Sequence, residues 1–413
     1  MMMMTMNGRG CGVAVLAQRA RRALGLGSCR RHAHAASASG DSRKVYVGGA
    51  GVVPVTRQQD VTLEQMGAQA VRAALADADM DPKSVQAVFV GNMMSGMLSK
   101  QQHLGPLIAN AAGLDLVEAS TTEACCGAGG AALRMAYLAV MSGELETVAV
   151  VGTELMTHAD RETITEALAT ASHWATEGAK GETFVSLNGK LMAEYMRRYN
   201  VPHAKFFPFA QVAHNNAMTA AHAVFPDKPL TLDMYENAPV VTDPIQLFDA
   251  SPTCDGAACV LLTSNPSLAA RAGGKRVRVA SSAAATDILA VAMREDPLHL
   301  RAVEKSAMDA MSRAGVTHAD IDIFELHDAY TSMACLALEN AGFVPHGEGV
   351  EFAADGHISL DGQLPIATFG GLKARGHPVG ATGVYQAAEM FMQLNGTAGM
   401  NQVPNTEILL EGE

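Results

Sequence analysis

The stretch that organises the chain runs from Glu123 to Leu133 and reads EACCGAGGAAL. It follows a strand-like run, residues 116–122, and leads into a segment with helical spacing. This order predicts a cysteine at the first turn of a helix, where unpaired N–H groups and the helix dipole stabilise a thiolate. The small residues behind it would let a substrate and neighbouring helices approach the backbone closely. A buried cysteine in a βα unit would give the same pattern, so this stretch alone leaves both interpretations open.

Two later stretches each place a histidine where a strand or loop ends. Residues 324–330 read FELHDAY, in which His327 follows an apolar strand. Residues 370–383 read GGLKARGHPVGATG, in which His377 lies in a glycine-rich loop. Either histidine alone would fit a structural role. A cysteine with two distant histidines, however, is a nucleophile-and-base arrangement that only a fold can assemble.

Together these segments resemble the thiolase superfamily, and they are most similar to its archaeal acetoacetyl-CoA and sterol-carrier-protein types. The nucleophile segment is similar to the family's Cys-x-x-Gly helix start when Cys126, rather than Cys125, is aligned. Residues 327–330 resemble the His-Asp-x-Phe variant, and residues 376–383 match the Gly-His-Pro block without a substitution. Residues 250–257, ASPTCDGA, look like the turn that contacts pantetheine. The resemblance covers about residues 44–412.

The resemblance implies an α/β thiolase fold: two similar βαβαβαββ halves stacked as a layered αβαβα sandwich, with a loop domain inserted in the first half. It implies an acetyl-CoA C-acyltransferase, a 3-oxoacyl-CoA or acetoacetyl-CoA thiolase of lipid metabolism and fatty acid β-oxidation. Cys126 would carry the acyl group and His377 would take its proton. His327 and His377 would then bind the thioester oxygen of the second acyl-CoA, and Ser251 would contact pantetheine. The implied partners are acyl-CoA, CoA and a second copy of the chain in a homodimer, with no cofactor and no metal.

Composition narrows the function classes further. The 413 residues are 48% hydrophobic and 17% charged, which is typical of a compact chain with large cores. A net charge of −12 argues against nucleic acid as the main partner. Because no apolar run reaches about 18 residues, no membrane span is predicted. Seven cysteines without regular spacing predict neither a disulfide framework nor a zinc site.

Residues 1–42 differ from the rest of the chain in their charge composition. They contain six arginines and no acidic residue before Asp41, and residues 13–26 can form a basic amphipathic helix. This pattern predicts a transit peptide that lies outside the fold, with a mitochondrial destination and a plastid as the alternative. A disordered tail without a function is the remaining interpretation.

Strand and helix patterns then alternate through two halves, residues 44–265 and residues 275–413. The alternation stops over residues 156–240, which we interpret as the inserted loop domain that covers the active site. Five histidines lie in this insertion. None has metal-ligand spacing, so we expect surface or packing roles for them.

Two departures from the family pattern bear on activity. Ala329 stands where many sterol-carrier-type thiolases place a cysteine that can serve as the second acid/base. Residues 407–413 look like the penultimate strand, so the last strand and the catalytic loop before it are predicted to be missing and a sheet edge to be exposed. Two alternatives therefore stay open: a malonyl-CoA-decarboxylating or weakly active thiolase-like protein, and a non-catalytic acyl-CoA-binding subunit.

Overall fold

A computed structural model describes residues 1–7, 43–270 and 275–412. Eleven strands are formed in these ranges: β1 (Met2–Asn7), β2 (Val45–Val52), β3 (Ala87–Gly91), β4 (Glu118–Thr122), β5 (Thr147–Glu154), β6 (Val240–Thr242), β7 (Ile245–Gln246), β8 (Gly256–Thr263), β9 (Arg276–Ser282), β10 (Ile323–Glu325) and β11 (Ile408–Glu411). The same ranges contain twelve α-helices: α1 (Leu63–Ala78), α2 (Ser95–Leu98), α3 (Leu104–Ala112), α4 (Ala128–Ser142), α5 (Arg161–Ala169), α6 (Phe184–Tyr199), α7 (Phe207–Ala217), α8 (Leu232–Glu236), α9 (Arg301–Ala314), α10 (Thr331–Asn340), α11 (Gly349–Ala354) and α12 (Thr382–Asn395).

Local sequence signals explain where the first-half elements begin. Residues 62–65 read TLEQ, a pattern that predicts a capping box, and Thr62 and Gln65 form it at the start of α1. The apolar positions of this helix are buried, as their helical spacing predicts. The apolar runs of β5 and β8 are buried along their whole length, since helices cover both faces of these strands.

Helices and sheets alternate in five layers. Helices α1 and α3 pack on the outer face of the first half-sheet, and α4 and α12 pack on its inner face. Helix α12 also contacts β9 and β11, while α9 covers the other face of the second half-sheet. The two half-sheets are joined because residues 45–47 of β2 pair with residues 277–279 of β9. The predicted layered α/β fold is therefore confirmed, with one continuous sheet in the order β10-β11-β1-β9-β2-β8-β5-β3-β4.

The second half follows its predicted pattern except at one strand. The sequence pattern predicts a helix over about residues 301–314, a strand over residues 321–326 and a helix over residues 383–394, and α9, β10 and α12 lie at these positions. The pattern also predicts a strand near residues 365–368, but this segment does not form a regular strand. Pro365 has no N–H to donate and Ala367 has a φ of 47°, so the segment keeps only part of a ladder, including a bond from the Phe324 N–H to the Pro365 carbonyl.

The amino-terminal residues correct two predictions. Met2–Asn7 were expected to lie outside the fold as part of a transit peptide over residues 1–42. Instead they form β1, which pairs antiparallel with β9 on one side and β11 on the other. The prediction of an exposed edge beside β11 is also wrong, because β1 covers that edge. The predicted helix over residues 13–26 lies outside the described residues.

The inserted segment lies between β5 and β8 and is more helical than the sequence suggested. It carries α5 to α8 and the small β6–β7 hairpin, and α6 and α7 pack against α10 of the second half. Each of its five histidines contacts a protein group through a ring nitrogen: His158 the Leu98 carbonyl, His173 Thr176, His203 Asp249, His214 the Lys228 carbonyl and His222 Glu389.

One helical stretch in the described ranges, Cys125–Ser142, is long and apolar enough to cross a membrane by length and composition alone. It contains α4, which packs against β3, β5 and α12. This is the environment of a core helix, for which high hydropathy is expected.

Candidate active site

Cys126 lies in a single 3₁₀ turn, Cys125–Gly127, that leads directly into α4. The side chain is buried, with 9% of the residue exposed. Glycines make this position possible. A Cβ on Gly91 would lie 2.7 Å from backbone atoms of Ala128, and one on Gly129 would lie 3.0 Å from the Val384 nitrogen. The start of α4 therefore rests directly on the end of β3 and on the start of α12, as the small residues predicted.

Cys125 lies in a different environment from Cys126. Its φ is 53°, and its N–H donates to Glu123 Oε1 at 2.6 Å. Burial and the Glu123 carboxylate raise the pKa of the Cys125 thiol to about 11. A thiol held in its protonated form is a poor nucleophile. The geometry therefore favours the alignment in which Cys126 is the nucleophile.

His327 and His377 reach Cys126 from two loops of the second half. A ring nitrogen of each histidine and the Cys126 sulfur all lie within 4.8 Å of one another. The two imidazole rings are nearly perpendicular, with centroids 5.0 Å apart. The three residues that the sequence singled out, far apart along the chain, are therefore brought together.

The His377 ring is fixed by one hydrogen-bonded contact, between its Nδ1 and Thr382 Oγ1 at 2.7 Å. This contact occupies Nδ1 and leaves Nε2 for the sulfur and for His327. Burial, with the neighbouring His327 and Arg375, holds the pKa of His377 well below its usual value. A neutral imidazole beside a thiol can accept the thiol proton.

Glu154 connects the His377 loop to the first half of the molecule. Its buried carboxylate accepts hydrogen bonds from the Asn92 side chain and from the N–H groups of Met93, Met94 and Gly380. Burial raises the pKa of Glu154 to about 7, against the effect of these bonds. Sequence patterns did not identify this residue, because its role depends on a contact with a loop more than two hundred positions away.

Asp328 makes the corresponding connection for His327. Its carboxylate accepts the Leu372 N–H at 2.8 Å, and a Cβ on Gly371 would lie 2.3 Å from Asp328 Oδ2. Gly371 also has a φ of 54°. The glycine is thus required both by its conformation and by the carboxylate. The two histidine loops therefore hold each other in place.

Ser251 lies next to the His327 segment. Its N–H donates to the Ala329 carbonyl at 2.9 Å, and Ala250 forms a β-bridge with Tyr330. The predicted pantetheine turn is thus attached to the strand end that carries His327. Its contact with pantetheine stays a prediction.

Tyr330 is the last residue of the His327 motif, and the motif alone suggested no chemical role for it. It stands where the resembling motif has phenylalanine, and 6% of it is exposed. Burial raises the pKa of Tyr330, and the electrostatic influence of Cys126 raises it further. A neutral phenol hydroxyl can donate a hydrogen bond to a substrate oxygen.

One sulfur and two imidazole nitrogens are also a donor set that binds Zn²⁺. The same three groups provide the nucleophile, the base and the oxygen donor of acyl transfer.

Comparisons with known proteins cover nearly all of the described chain. The model of the thiolase N-terminal domain matches residues 45–266, and the model of the thiolase C-terminal domain-like family matches residues 283–412. An acetyl-CoA acetyltransferase from Methanothermobacter thermautotrophicus is 39% identical over 349 residues, which is 84% of this chain and 90% of the relative.

More distant relatives agree with these matches. Human sterol carrier protein 2 is 26% identical over 387 residues, covering 89% of this chain and 69% of that protein. The solved Ltp2-ChsH2(DUF35) aldolase has a TM-score of 0.76 at 20% identity, covering 88% of this chain and 92% of that one. At that identity the likeness concerns the fold alone. The two family models and the archaeal relative establish that the chain belongs to the thiolase family.

Proposed function

We propose that this protein transfers acyl groups between coenzyme A thioesters through a covalent intermediate on Cys126. The observation that carries the proposal is the cluster of the Cys126 sulfur with one nitrogen from each of His327 and His377, all within 4.8 Å. The archaeal relative is an acetyl-CoA acetyltransferase, which supports acetyl as the transferred group and acetoacetyl-CoA as the substrate to test first.

The first step forms the acyl-enzyme. His377 Nε2 accepts the Cys126 proton, and the thiolate attacks the thioester carbonyl carbon. The carbon–sulfur bond to CoA breaks, the CoA sulfur takes the proton back from His377, and the acyl group stays on Cys126. Because burial holds the pKa of His377 low, the ring begins neutral, and its Nε2 has a lone pair for the proton.

The second step joins the acyl group to another thioester. The His377 Nε2, which has returned its proton to CoA, accepts an α-proton from the second acyl-CoA, and the new N–H together with His327 stabilises the enolate oxygen. The enolate carbon attacks the acyl carbon, the bond from that carbon to the Cys126 sulfur breaks, and the sulfur recovers the proton from His377. In the degradative direction the same bonds change in reverse. Losing one donor to such an oxyanion typically costs about a hundredfold or more in turnover.

Acyl-CoA and CoA are the proposed partners, with Ser251 beside the pantetheine arm and a homodimer as the proposed assembly. A role in lipid metabolism and a mitochondrial location, with a plastid as the alternative, are further proposals. They rest on the family resemblance and on the arginine-rich residues 9–31. Imaging of a tagged full chain tests the location.

The deciding experiment incubates the purified protein with acetoacetyl-CoA and CoA. Production of acetyl-CoA, with one acetyl group on the Cys126 peptide by mass spectrometry, is expected. Absence of both products contradicts the proposal. Release of CO₂ from malonyl-CoA would then favour the decarboxylating alternative, and tight CoA binding without turnover would favour the non-catalytic subunit.

A further inference from the structure

The strands next to the junction have the same order and direction in the two half-sheets. In the first half, β8 lies between β2 and β5 and is antiparallel to both. In the second half, β1 lies between β9 and β11 and is antiparallel to both. Strand β1 thus occupies in the second half the position that the last strand, β8, occupies in the first.

Strand β1 is paired on both edges and buried on both faces at its start. Six of its residues pair with β9, with one register shift between Met3 and Met4, and four pair with β11. Met3 faces the core under α9, while Met2 and Met4 face the core formed with α12, and each of these methionines is at most 2% exposed. A segment with apolar side chains on both faces is what an interior strand requires.

Loss of β1 from its position between β9 and β11 would affect the active site. Met4 packs in the same hydrophobic core as Tyr385 and Ala388 of α12. The first residue of that helix is Thr382, which fixes the His377 ring. Without β1, the edges of β9 and β11 and one apolar side of α12 would be exposed.

We propose that the gap between β9 and β11 is a strand-binding site that must be filled for activity, and that Met2–Asn7 is its occupant. A targeting cleavage near residue 42 would remove this strand. On this proposal, such a cleavage would also remove the activity.

A cross-link in the full chain tests whether β1 occupies this site. Thr5 is paired with Arg278, and directly opposed antiparallel residues lie within disulfide reach. Under mild oxidation, Thr5→Cys with Arg278→Cys should give a disulfide that peptide mapping identifies. The matched control, Thr5→Cys with Arg276→Cys, is displaced by two residues on the same strand and should give none. Equal yields in both variants, or no cross-link in either, overturn the placement.

Truncation and a point variant test whether the strand is needed. A chain that begins at Arg43 should lose activity and melt at a lower temperature than the full chain. A synthetic peptide of residues 1–7 should restore both, and the same peptide with proline at position 5 should not. In the full chain, Thr5→Pro should lower the Tm by several degrees while Thr5→Val should not, which keeps the test valid if the truncated chain does not fold. A truncated chain with full activity and an unchanged Tm overturns the proposal.

Discussion

Nδ1 of His377 and Oγ1 of Thr382 lie 2.7 Å apart, and this contact joins the catalytic loop to the first residue of α12. Since α12 packs on both half-sheets, the direction of the imidazole is set by the central layer of the molecule. Thr382→Val should therefore reduce kcat by about tenfold, a part of what general base catalysis contributes.

A lower kcat alone would not show whether Thr382→Val changes the orientation of His377 or damages the packing of the core. The rate at which iodoacetamide alkylates Cys126 should fall in Thr382→Val at every pH tested, because thiolate formation depends on the oriented base. Thr382→Ser keeps the hydroxyl and should restore the alkylation rate. Equal rates in all three proteins would show that Thr382 does not act through His377.

The two neighbouring cysteines should differ sharply in function. Cys126→Ala should lower turnover of acetoacetyl-CoA by at least about 10³-fold, because no acyl-enzyme can form. Cys125→Ala should keep most of the activity, since its thiol is held protonated with a pKa of about 11. Acyl-enzyme mass and steady-state rates check both variants. An acyl group found on Cys125 would reverse the assignment.

Glu154 should make stability depend on pH. Its pKa is raised to about 7 from an ordinary 4.5, so between these values the folded chain holds a proton that the unfolded chain has released. The stability from this group is present below the ordinary pKa and is lost as pH rises through about 7. Glu154→Gln does not titrate, so its Tm should change less between about pH 5 and about pH 7.5.

The matched control for Glu154 is Glu325, a second buried carboxyl whose pKa is raised to about 7 by burial and by Glu389. Glu325→Gln should flatten the dependence of Tm on pH in the same way. Only Glu154→Gln replaces one of the two carboxylate oxygens that hold the Gly380 N–H and the Met94 N–H with a donor NH₂ group, so only this variant should also slow alkylation of Cys126. Parallel pH profiles for wild type and Glu154→Gln would contradict the expected titration.

Tyr330→Phe tests whether the Tyr330 hydroxyl takes part in the reaction. If the hydroxyl donates to a substrate oxygen, kcat should fall by about tenfold or less, the value of one hydrogen bond, while the acylation of Cys126 should still go to completion. The substitution installs the residue of the resembling motif, so the fold should be unaffected. An unchanged kcat would limit Tyr330 to packing.

Zn²⁺ should protect the active site from modification. Cys126, His327 and His377 together provide three ligand atoms, and zinc sites with three protein ligands keep a fourth position open. In thiol-free buffer, Zn²⁺ should slow alkylation of Cys126, and EDTA should reverse the effect. His327→Asn should weaken this protection. Protection that is equal in wild type and in this variant would place the metal elsewhere.

Residues within short motifs were predictable, and residues that act across the fold were not. Cys126, His327 and His377 each lie beside glycines, prolines or acidic partners that form local patterns, and α9 shows its bounds in its periodicity. Glu154 is one glutamate at the end of an apolar strand, and only its contact with Gly380 gives it a role.

Strand β1 was missed for a related physical reason. The run MMMMTMN has no alternation of polar and apolar residues, because both of its faces are buried. The arginine-rich residues that follow are typical of targeting segments and suggested one interpretation for the whole region. Its partners, β9 and β11, lie about 270 residues or more further along the chain.

At Gly129 the start of α4 meets the start of α12 through backbone atoms, with no side chain between them at this point. Because no side-chain rotation can widen this contact, we expect access beside it to require separation of the two helices. Cys126 is buried beside this contact. A thiol reagent too bulky to enter the closed site should therefore react with Cys126 only when the two helices separate. The rate at which Cys126 reacts with this reagent would therefore measure how often the native state opens.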